Sequence, residues 1–154
     1  MDFELTPEIE TYRKRVRAFV DAHVLPLEAD RANFDEHESL TMEALARLRN
    51  QAKSEGLWAL QISKARGGGE LSIVGMAACY EEMGRSLHGP AAFNSQAPDD
   101  GNMMLLEKVA TDAQKDKWLQ PIVDGRVWSA FAMTEPAPGS GSDQIGRASC
   151  RERV

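Results

Sequence analysis

The chain has 154 residues, of which 42% are hydrophobic and 27% are charged, an ordinary composition for one soluble globular domain. Its formal net charge of −6 gives no electrostatic reason to expect nucleic acid or an anionic membrane as a partner. No apolar run approaches the ~20 residues of a transmembrane helix, so we expect no membrane span.

The N-terminal region predicts an amphipathic helix. The opening sequence, MDFELTPEIE, lacks the basic and apolar regions of a secretory signal, and we therefore expect a cytoplasmic protein. Thr6 and Pro7 are typical of a helix start. Apolar residues then recur on one face over about 7–24, and Pro26 is expected to end this helix. Residues 27–39 are charged and aperiodic, which indicates a loop.

A second helix is predicted over about 41–55, with Gly56 at the position of a C-terminal cap glycine. A loop with three glycines follows at 67–69. No Lys-Ser/Thr pair follows these glycines, so the loop is not a phosphate loop. We interpret it as a connection, with contact to a ligand as the alternative.

A third helix is predicted over about 73–86, capped by Ser72. Adjacent acids at Glu81 and Glu82 splay apart on a helix, which favours a solvated or salt-bridging role over acid/base catalysis. Cys79 is interpreted as a small buried residue. The face expected to point inward consists of Met76, Ala77, Tyr80 and Met83.

The region after residue 92 is polar and irregular before helical signals return. Asp99 or Asp100 is expected to cap a helix over about 101–109. Thr111 fits a capping box, and it opens a further helix that ends at Gln120 and Pro121. The two cysteines and three histidines have no metal-site spacing, so no metal site is expected.

A turn at Asp124 and Gly125 precedes a strand predicted over about 127–133. The predicted fold class is therefore mainly α, with one strand beginning near the end of the chain. Because a lone strand is not stable, we expect its partners to lie downstream.

Residues 131–143, FAMTEPAPGSGSD, are the most informative stretch. A short apolar run leads into a loop of small residues, where glycine lets another group approach the backbone closely. Thr134, Ser140 and Ser142 add hydroxyl groups that can donate or accept hydrogen bonds. Such a loop suits an anionic or heteroaromatic ligand.

Over about residues 1–143 the chain resembles the N-terminal part of an acyl-CoA dehydrogenase. The strongest match is FAMTEP followed by GSD, the strand-and-loop signature of that family. The string AFNSQAPDDGNM is similar to a subgroup whose animal members fuse this domain to a phosphotransferase-like domain. Further matches are GLW at 56–58, EEMG at 81–84 and QKDKWLQP at 114–121.

The resemblance implies an orthogonal helical N-terminal domain over 1–125 and the first strand and loop of the middle β-domain over 126–143. It implies FAD as cofactor and α,β-dehydrogenation of a fatty acyl-CoA thioester as reaction. Electrons leave to an electron-transfer flavoprotein, and the full-length protein is expected to form a homo-oligomer. The family's catalytic base is a glutamate of the C-terminal domain, so no catalytic residue is assigned here, and we expect the chain alone to be inactive.

The resemblance also implies the cofactor-binding residues. The common spacing in the family has two residues fewer than this loop, so either Ser140 or Ser142 is the functional serine, and the following Asp143 favours Ser142. Ser142, Asn94 and Gln96 are expected to contact the substrate. The flavin-binding positions are Phe131, Met133, Thr134, Gly141 and Ser142.

The last residues depart from the family pattern. Residues 145–154 correspond to a common sequencing-library adapter read in frame, and we interpret 144–154 as a non-native tail on a truncated gene fragment. A genomic clone that encodes 145–154 at this junction would contradict this interpretation.

Two other functions remain open from the sequence. One is an acyl-CoA oxidase, or another flavin oxidase or monooxygenase, on the same fold. The other is a non-catalytic helical binding module. Comparison of oxygen with an artificial electron acceptor separates the dehydrogenase from the oxidase, and absence of flavin from the full-length protein would favour the binding module.

Overall fold

The computed structural model describes residues 4–132, and this part of the chain is mainly helical, as predicted. Two of the helical stretches contain a five-residue π-helical turn, at Val20–Val24 and at Lys115–Leu119. Short 3₁₀ turns occur at Arg31–Asn33 and Lys64–Arg66. The α-helices are α1 (Pro7–Phe19), α2 (Leu25–Glu28), α3 (Met42–Ser54), α4 (Ile73–Met83), α5 (Gly89–Ala92), α6 (Asp99–Val109), α7 (Asp112–Gln114) and α8 (Gln120–Val123).

The first helical stretch does not end at Pro26, so that prediction is wrong. Proline lacks an N–H group, and its ring clashes with the carbonyl four residues earlier in a regular helix. Immediately before Pro26, the Leu25 N–H donates to the Val20 carbonyl, five residues back. This wider π-helical turn accommodates the proline, and α2 continues to Glu28.

The same arrangement recurs at Pro121, where the sequence also predicted a helix end. The Gln120 N–H donates to the Lys115 carbonyl, again five residues back, and α8 continues to Val123. The predicted boundary is therefore wrong for the same physical reason.

Most of the predicted caps are confirmed. Thr6 Oγ1 accepts from the Ile9 N–H at 3.3 Å, Ser72 Oγ accepts from the Gly75 N–H at 3.2 Å, and Thr111 forms a complete capping box with Gln114. The predicted cap of α6 is wrong. Helix α6 begins at Asp99 itself, without a side-chain cap, because both acids bind elsewhere.

Gly56 ends α3 as predicted. Its φ of +65° lies in the left-handed region that glycine adopts readily. The Gly56 N–H donates to Lys53, and the Leu57 N–H donates to the Ala52 carbonyl at 2.9 Å. These two bonds form a Schellman motif, which turns the chain inward toward the buried segment 57–60.

Helices α1 and α4 pack against each other around one hydrophobic core. On α4 the predicted inward positions Met76 and Met83 are buried, whereas Ala77 is exposed, so its prediction is wrong. Cys79 is buried as predicted, and burial raises the pKa of its thiol to about 11. Other core members are Val16, Phe19, Leu57, Leu60, Phe93, Met103 and Leu119.

The three-glycine loop packs closely against the chain segment before it. A Cβ atom on Gly68 would lie 2.1 Å from the Ile62 carbonyl oxygen, so the main chain itself excludes any larger residue there. This packing supports the interpretation as a connection. The loop also lines a surface pocket of about 430 Å³ with Tyr12 and Trp58, so contact with a ligand, the alternative, stays a prediction.

Gly68→Ala is expected to lower the free energy of unfolding by about 1–3 kcal/mol, because the backbone must shift to admit the methyl group. Gly101→Ala is the matched control. Gly101 lies in α6, and its added Cβ would meet no atom within 4 Å. The free energy of unfolding of this control should rise by about 0.5–1 kcal/mol, because alanine has a higher helix propensity than glycine. Urea denaturation followed by circular dichroism measures both, and a stable Gly68→Ala variant would contradict the packing argument.

The strand predicted over 127–133 is not formed in its described part, residues 127–132. Within residues 4–132 the segment has no strand to pair with. Its N–H groups at Val127 and Ser129 instead donate to the Pro121 carbonyl and to the Asp99 carboxylate. The prediction is wrong for these residues because a strand needs a partner.

Candidate functional site

Residues 126–132, which we call the exit segment, connect α8 to the motif FAMTEP. Two side chains of α6 hold this segment. The Ser129 N–H and the Ser129 hydroxyl both donate to Asp99 Oδ1 at 2.6 Å. Asn102 Nδ2 donates to Ser129 Oγ at 2.8 Å and to the Ala130 carbonyl at 3.4 Å. Hydrogen bonds to a carboxylate are among the stronger ones in proteins, so Ser129 is well fixed.

The Asp99 carboxylate is only 1% exposed and therefore needs a nearby positive charge. Arg49 of α3, at 8% exposure, supplies it. Burial lowers the pKa of Arg49, and attraction to Asp99 opposes that shift. The guanidinium lies 5.5 Å from the Trp128 ring centroid and 5.7 Å from that of Trp58, within the range of cation–π attraction.

Arg49 retains unused hydrogen-bonding capacity. Its Nε donates to the Ala91 carbonyl at 3.1 Å. Its Nη2 is buried and has no partner among the described residues. The cation is thus held in place mainly by the two indole rings and by one carbonyl.

An apolar groove of about 490 Å³ lies beside the exit segment. Several of its side chains are large and exposed to solvent, which marks a surface that another part of a protein or a ligand covers. The groove is lined by Asn102, Leu105, Leu106, Trp118, Ile122, Val127, Trp128, Ser129 and Ala130.

Phe131 lies near the end of the exit segment and is 68% exposed. Its chain neighbour Ala130 lines the apolar groove, and an exposed aromatic side chain at this position fits a flat heterocycle such as the flavin ring. The other predicted flavin-binding positions lie outside the described residues, as does the tail over 144–154. These positions are Met133, Thr134, Gly141 and Ser142, together with the alternative Ser140.

The structure gives Asn94 an internal role. The residue is 1% exposed, and its Nδ2 donates to the Ile122 carbonyl at 3.0 Å. Gln96 is half-buried, and its carbonyl accepts from the Asp100 N–H at 2.9 Å. Neither residue lines the apolar groove, and their assignment to the substrate stays a prediction.

Sequence reasoning missed the partners of the Asp99-Asp100 pair. Asp100 Oδ2 accepts from the Tyr80 hydroxyl at 2.6 Å, while Oδ1 is buried without a partner in the described part of the chain. Burial raises the pKa of Asp100, and burial together with Asp100 raises the pKa of Tyr80. The sequence does place two adjacent acids directly after Pro98, but this pattern is also typical of a helix N-cap, and a cap is what we predicted there.

Asp100→Asn is expected to gain stability relative to the wild type as the pH rises. The folded-state pKa of Asp100 lies above the unfolded value of 3.8, so its stabilising contribution is complete below pH 3.8 and is lost as the pH rises through the folded pKa. The Asp100→Asn variant has no titrating carboxyl group at this position, so it does not lose this stability as the pH rises. Denaturation at pH 3.5 and pH 7 should show a larger relative stability of the variant at pH 7, whereas a pH-independent difference would contradict the argument.

The described residues lack two other kinds of feature. None of the helices within residues 4–132 is both long and apolar enough to cross a membrane. The same stretch contains no group of three His, Cys, Asp or Glu side chains that could hold a metal ion.

Comparison with known proteins assigns the fold to a family. The profile of the acyl-CoA dehydrogenase N-terminal domain matches residues 6–126. FadE2 of Mycobacterium tuberculosis, named as a probable acyl-CoA dehydrogenase, is 36% identical over 148 residues, which are 91% of this chain and 35% of FadE2. Acyl-CoA dehydrogenase family member 11 of Gallus gallus is 38% identical over 128 residues, which are 79% of this chain and 16% of that protein.

A solved structure from Mycobacterium abscessus, described as an enzyme of the same kind, superimposes with a TM-score of 0.76 at 36% identity. The match covers 93% of this chain and 38% of the solved one. The chain thus spans about a third of its bacterial relatives. It belongs to the acyl-CoA dehydrogenase family, and residues 6–126 match the family's N-terminal domain.

Proposed function

We propose that this chain contributes the helical domain and part of the flavin site to an FAD-dependent enzyme that dehydrogenates fatty acyl-CoA thioesters between the α- and β-carbons. The observation that carries the proposal is the family match over residues 6–126. The relatives named above as acyl-CoA dehydrogenases support it. The exposed Phe131 beside an apolar groove supports the placement of a flavin at the end of the exit segment.

The reaction removes two hydrogens from the substrate. A carboxylate takes the α-proton, the β-C–H bond breaks with its electron pair, and a Cα=Cβ double bond forms. When bound, FAD supplies the acceptor for that electron pair and hydrogen at its N5 atom. An electron-transfer flavoprotein is the proposed final acceptor of the two electrons, and the proposed base is a glutamate beyond this chain.

The residues of this chain bind and orient the two ligands. If FAD binds as proposed, Phe131 would contact the flavin ring, and Met133 and Thr134 would supply backbone amides that stabilise negative charge on it. Gly141 and Ser142 are the residues proposed to bind the pyrophosphate and the CoA chain.

The 154-residue chain is proposed to be inactive by itself. The base, the adenine pocket and most of the oligomer contacts belong to the remainder of the protein. The complete protein is proposed to be a cytoplasmic homo-oligomer whose helical domain spans residues 1–125 and whose middle β-domain begins at residue 126, with 144–154 as a non-native tail of this chain.

Two proteins test the proposal: the product of the complete reading frame that contains residues 1–143, and the 154-residue chain. We expect the complete protein to purify with FAD and to reduce an artificial electron acceptor when acyl-CoA is added. We expect the short chain to do neither.

Three results would contradict parts of this proposal. Rapid reduction of oxygen with formation of hydrogen peroxide would indicate an oxidase on the same fold. A folded complete protein that binds no flavin would indicate a binding module. Purification of the short chain with stoichiometric FAD would contradict the proposal that this chain alone does not bind the cofactor.

A further inference from the structure

We propose that Asp99 is a positioning residue for the flavin: through Ser129 it fixes the exit segment on α6, so that Phe131 is presented at a defined place. This inference rests on the proposed function. Its structural basis is the pair of 2.6 Å hydrogen bonds from Ser129 to one carboxylate oxygen.

The contact is built from side chains that nothing else in the described structure explains. Asp99 lies in the first turn of α6 but caps no helix N–H. Its carboxylate is buried at 1% exposure and bonds a residue 30 positions later in the sequence. Burying a carboxylate costs free energy unless it is well bonded and has a cation nearby. Here Ser129 donates the hydrogen bonds, and Arg49 is close enough to attract the carboxylate electrostatically.

Arg49 adds a second link between the helices and the exit segment. Its guanidinium lies 5.7 Å from the ring centroid of Trp58, a core residue, and 5.5 Å from that of Trp128, in the exit segment. A neutral residue at position 99 would leave this buried cation without its nearby negative charge. Loss of Asp99 is therefore expected to release both Ser129 and Trp128.

The distance along the chain makes this contact relevant to the ligand. Phe131 lies two residues after Ser129, and an extended chain spans at most ~3.3–3.6 Å per residue. The anchor therefore limits Phe131 to within about 7 Å of a fixed point. A displacement of about 1 Å is enough to reduce the efficiency of an active site, so an anchor this close affects how the flavin is held.

The first experiment measures amide hydrogen exchange in the 154-residue chain. In Asp99→Asn, exchange at Ser129 is expected to accelerate about 10- to 100-fold, because a charge-assisted hydrogen bond is lost. Exchange in α1 and α4 should not change. Asp112→Asn is the control, because Asp112 is an exposed acid in the first turn of another helix.

The second experiment uses the complete holoprotein and a milder pair of variants. Ser129→Ala removes the hydroxyl but keeps the N–H bond, and Ser129→Thr keeps both donors. We expect Ser129→Ala to weaken FAD binding about tenfold and to shift the visible spectrum of the bound flavin. Ser129→Thr should restore both properties, and this rescue would not follow from a general loss of stability.

The outcomes are distinguishable. Unchanged exchange at Ser129 in Asp99→Asn would overturn the anchor itself. Faster exchange with unchanged FAD affinity and spectrum would overturn the positioning role while the proposed function stands. If the wild-type complete protein binds no FAD, the proposed function fails and the positioning role fails with it, whereas the exchange result still reports on the anchor.

Discussion

Glu82→Gln is expected to lower the free energy of unfolding by about 3 kcal/mol. The Glu82 carboxylate is buried at the end of α4, where its Oε1 lies 2.7 Å from Arg13 and 3.6 Å from Arg17. Arg85 approaches its Oε2 at 3.9 Å. The substitution keeps the shape of the side chain but leaves three guanidinium groups around a neutral amide. Since these arginines are partly exposed, the effect should lie at the lower end of the range for broken buried pairs.

The adjacent Glu81 is the matched control for this prediction. It occupies the same helix, has the same chemistry and is exposed. Glu81→Gln should change the free energy of unfolding by less than about 0.5 kcal/mol. Denaturant midpoints of both variants provide the measurement, and equal midpoints would contradict the structural role assigned to Glu82.

The ion pair also links two helices that form the core of the domain. Arg13 belongs to α1 and simultaneously binds Glu10 at 2.8 Å, which lowers the pKa of Glu10 to about 2. Glu82 therefore belongs to a network of ion pairs that connects α1 to α4, in addition to the packing contacts between these helices. The sequence predicts either a solvated or a salt-bridging role for this acid; the structure shows the second, with a partner 69 residues away in the sequence.

Local features of the fold were predictable because they depend on neighbouring residues. Thr6, Ser72 and Thr111 cap their helices as expected, since a capping side chain bonds an N–H two or three residues later. Gly56 ends α3 because the left-handed turn there favours glycine.

Features that depend on tertiary packing were not predictable in the same way. Pro26 and Pro121 signal helix ends locally, but π-helical turns before them let both helices continue. The local pattern predicts a cap at Asp99 or Asp100, because it cannot reveal the partner of Asp99 at Ser129. The exit segment was predicted as a strand from its composition, yet its described part has no strand to pair with.

The candidate site was predictable only in part. The resemblance named Phe131, which the structure leaves exposed beside an apolar groove. It could not indicate how the helical domain holds the segment that carries Phe131. The residues that hold this segment are Asp99, Asn102 and Arg49. They are far from the motif in the sequence and contact the segment only in the folded structure.

Trp58→Ala is expected to lower the free energy of unfolding by about 3–5 kcal/mol, the typical cost of removing a large buried aromatic side chain. The Trp58 side chain packs in the hydrophobic core, and its Nε1–H donates to the Val123 carbonyl at 2.7 Å. Lys53 Nζ lies 4.4 Å from the ring centroid and donates to the Asp124 carbonyl at 2.7 Å. The ring thus fixes the end of α8, where the exit segment begins.

Trp58→Phe separates the hydrogen bond from the packing. Phenylalanine keeps an aromatic ring but leaves the buried Val123 carbonyl without its donor, which should cost about 1–3 kcal/mol. Trp118→Phe is the control, because Trp118 is largely exposed. Thermal and denaturant unfolding of the three variants should rank Trp58→Ala as least stable, then Trp58→Phe, with Trp118→Phe close to the wild type. A Trp58→Phe variant as stable as the control would show that the bond to Val123 contributes nothing to the stability of the domain.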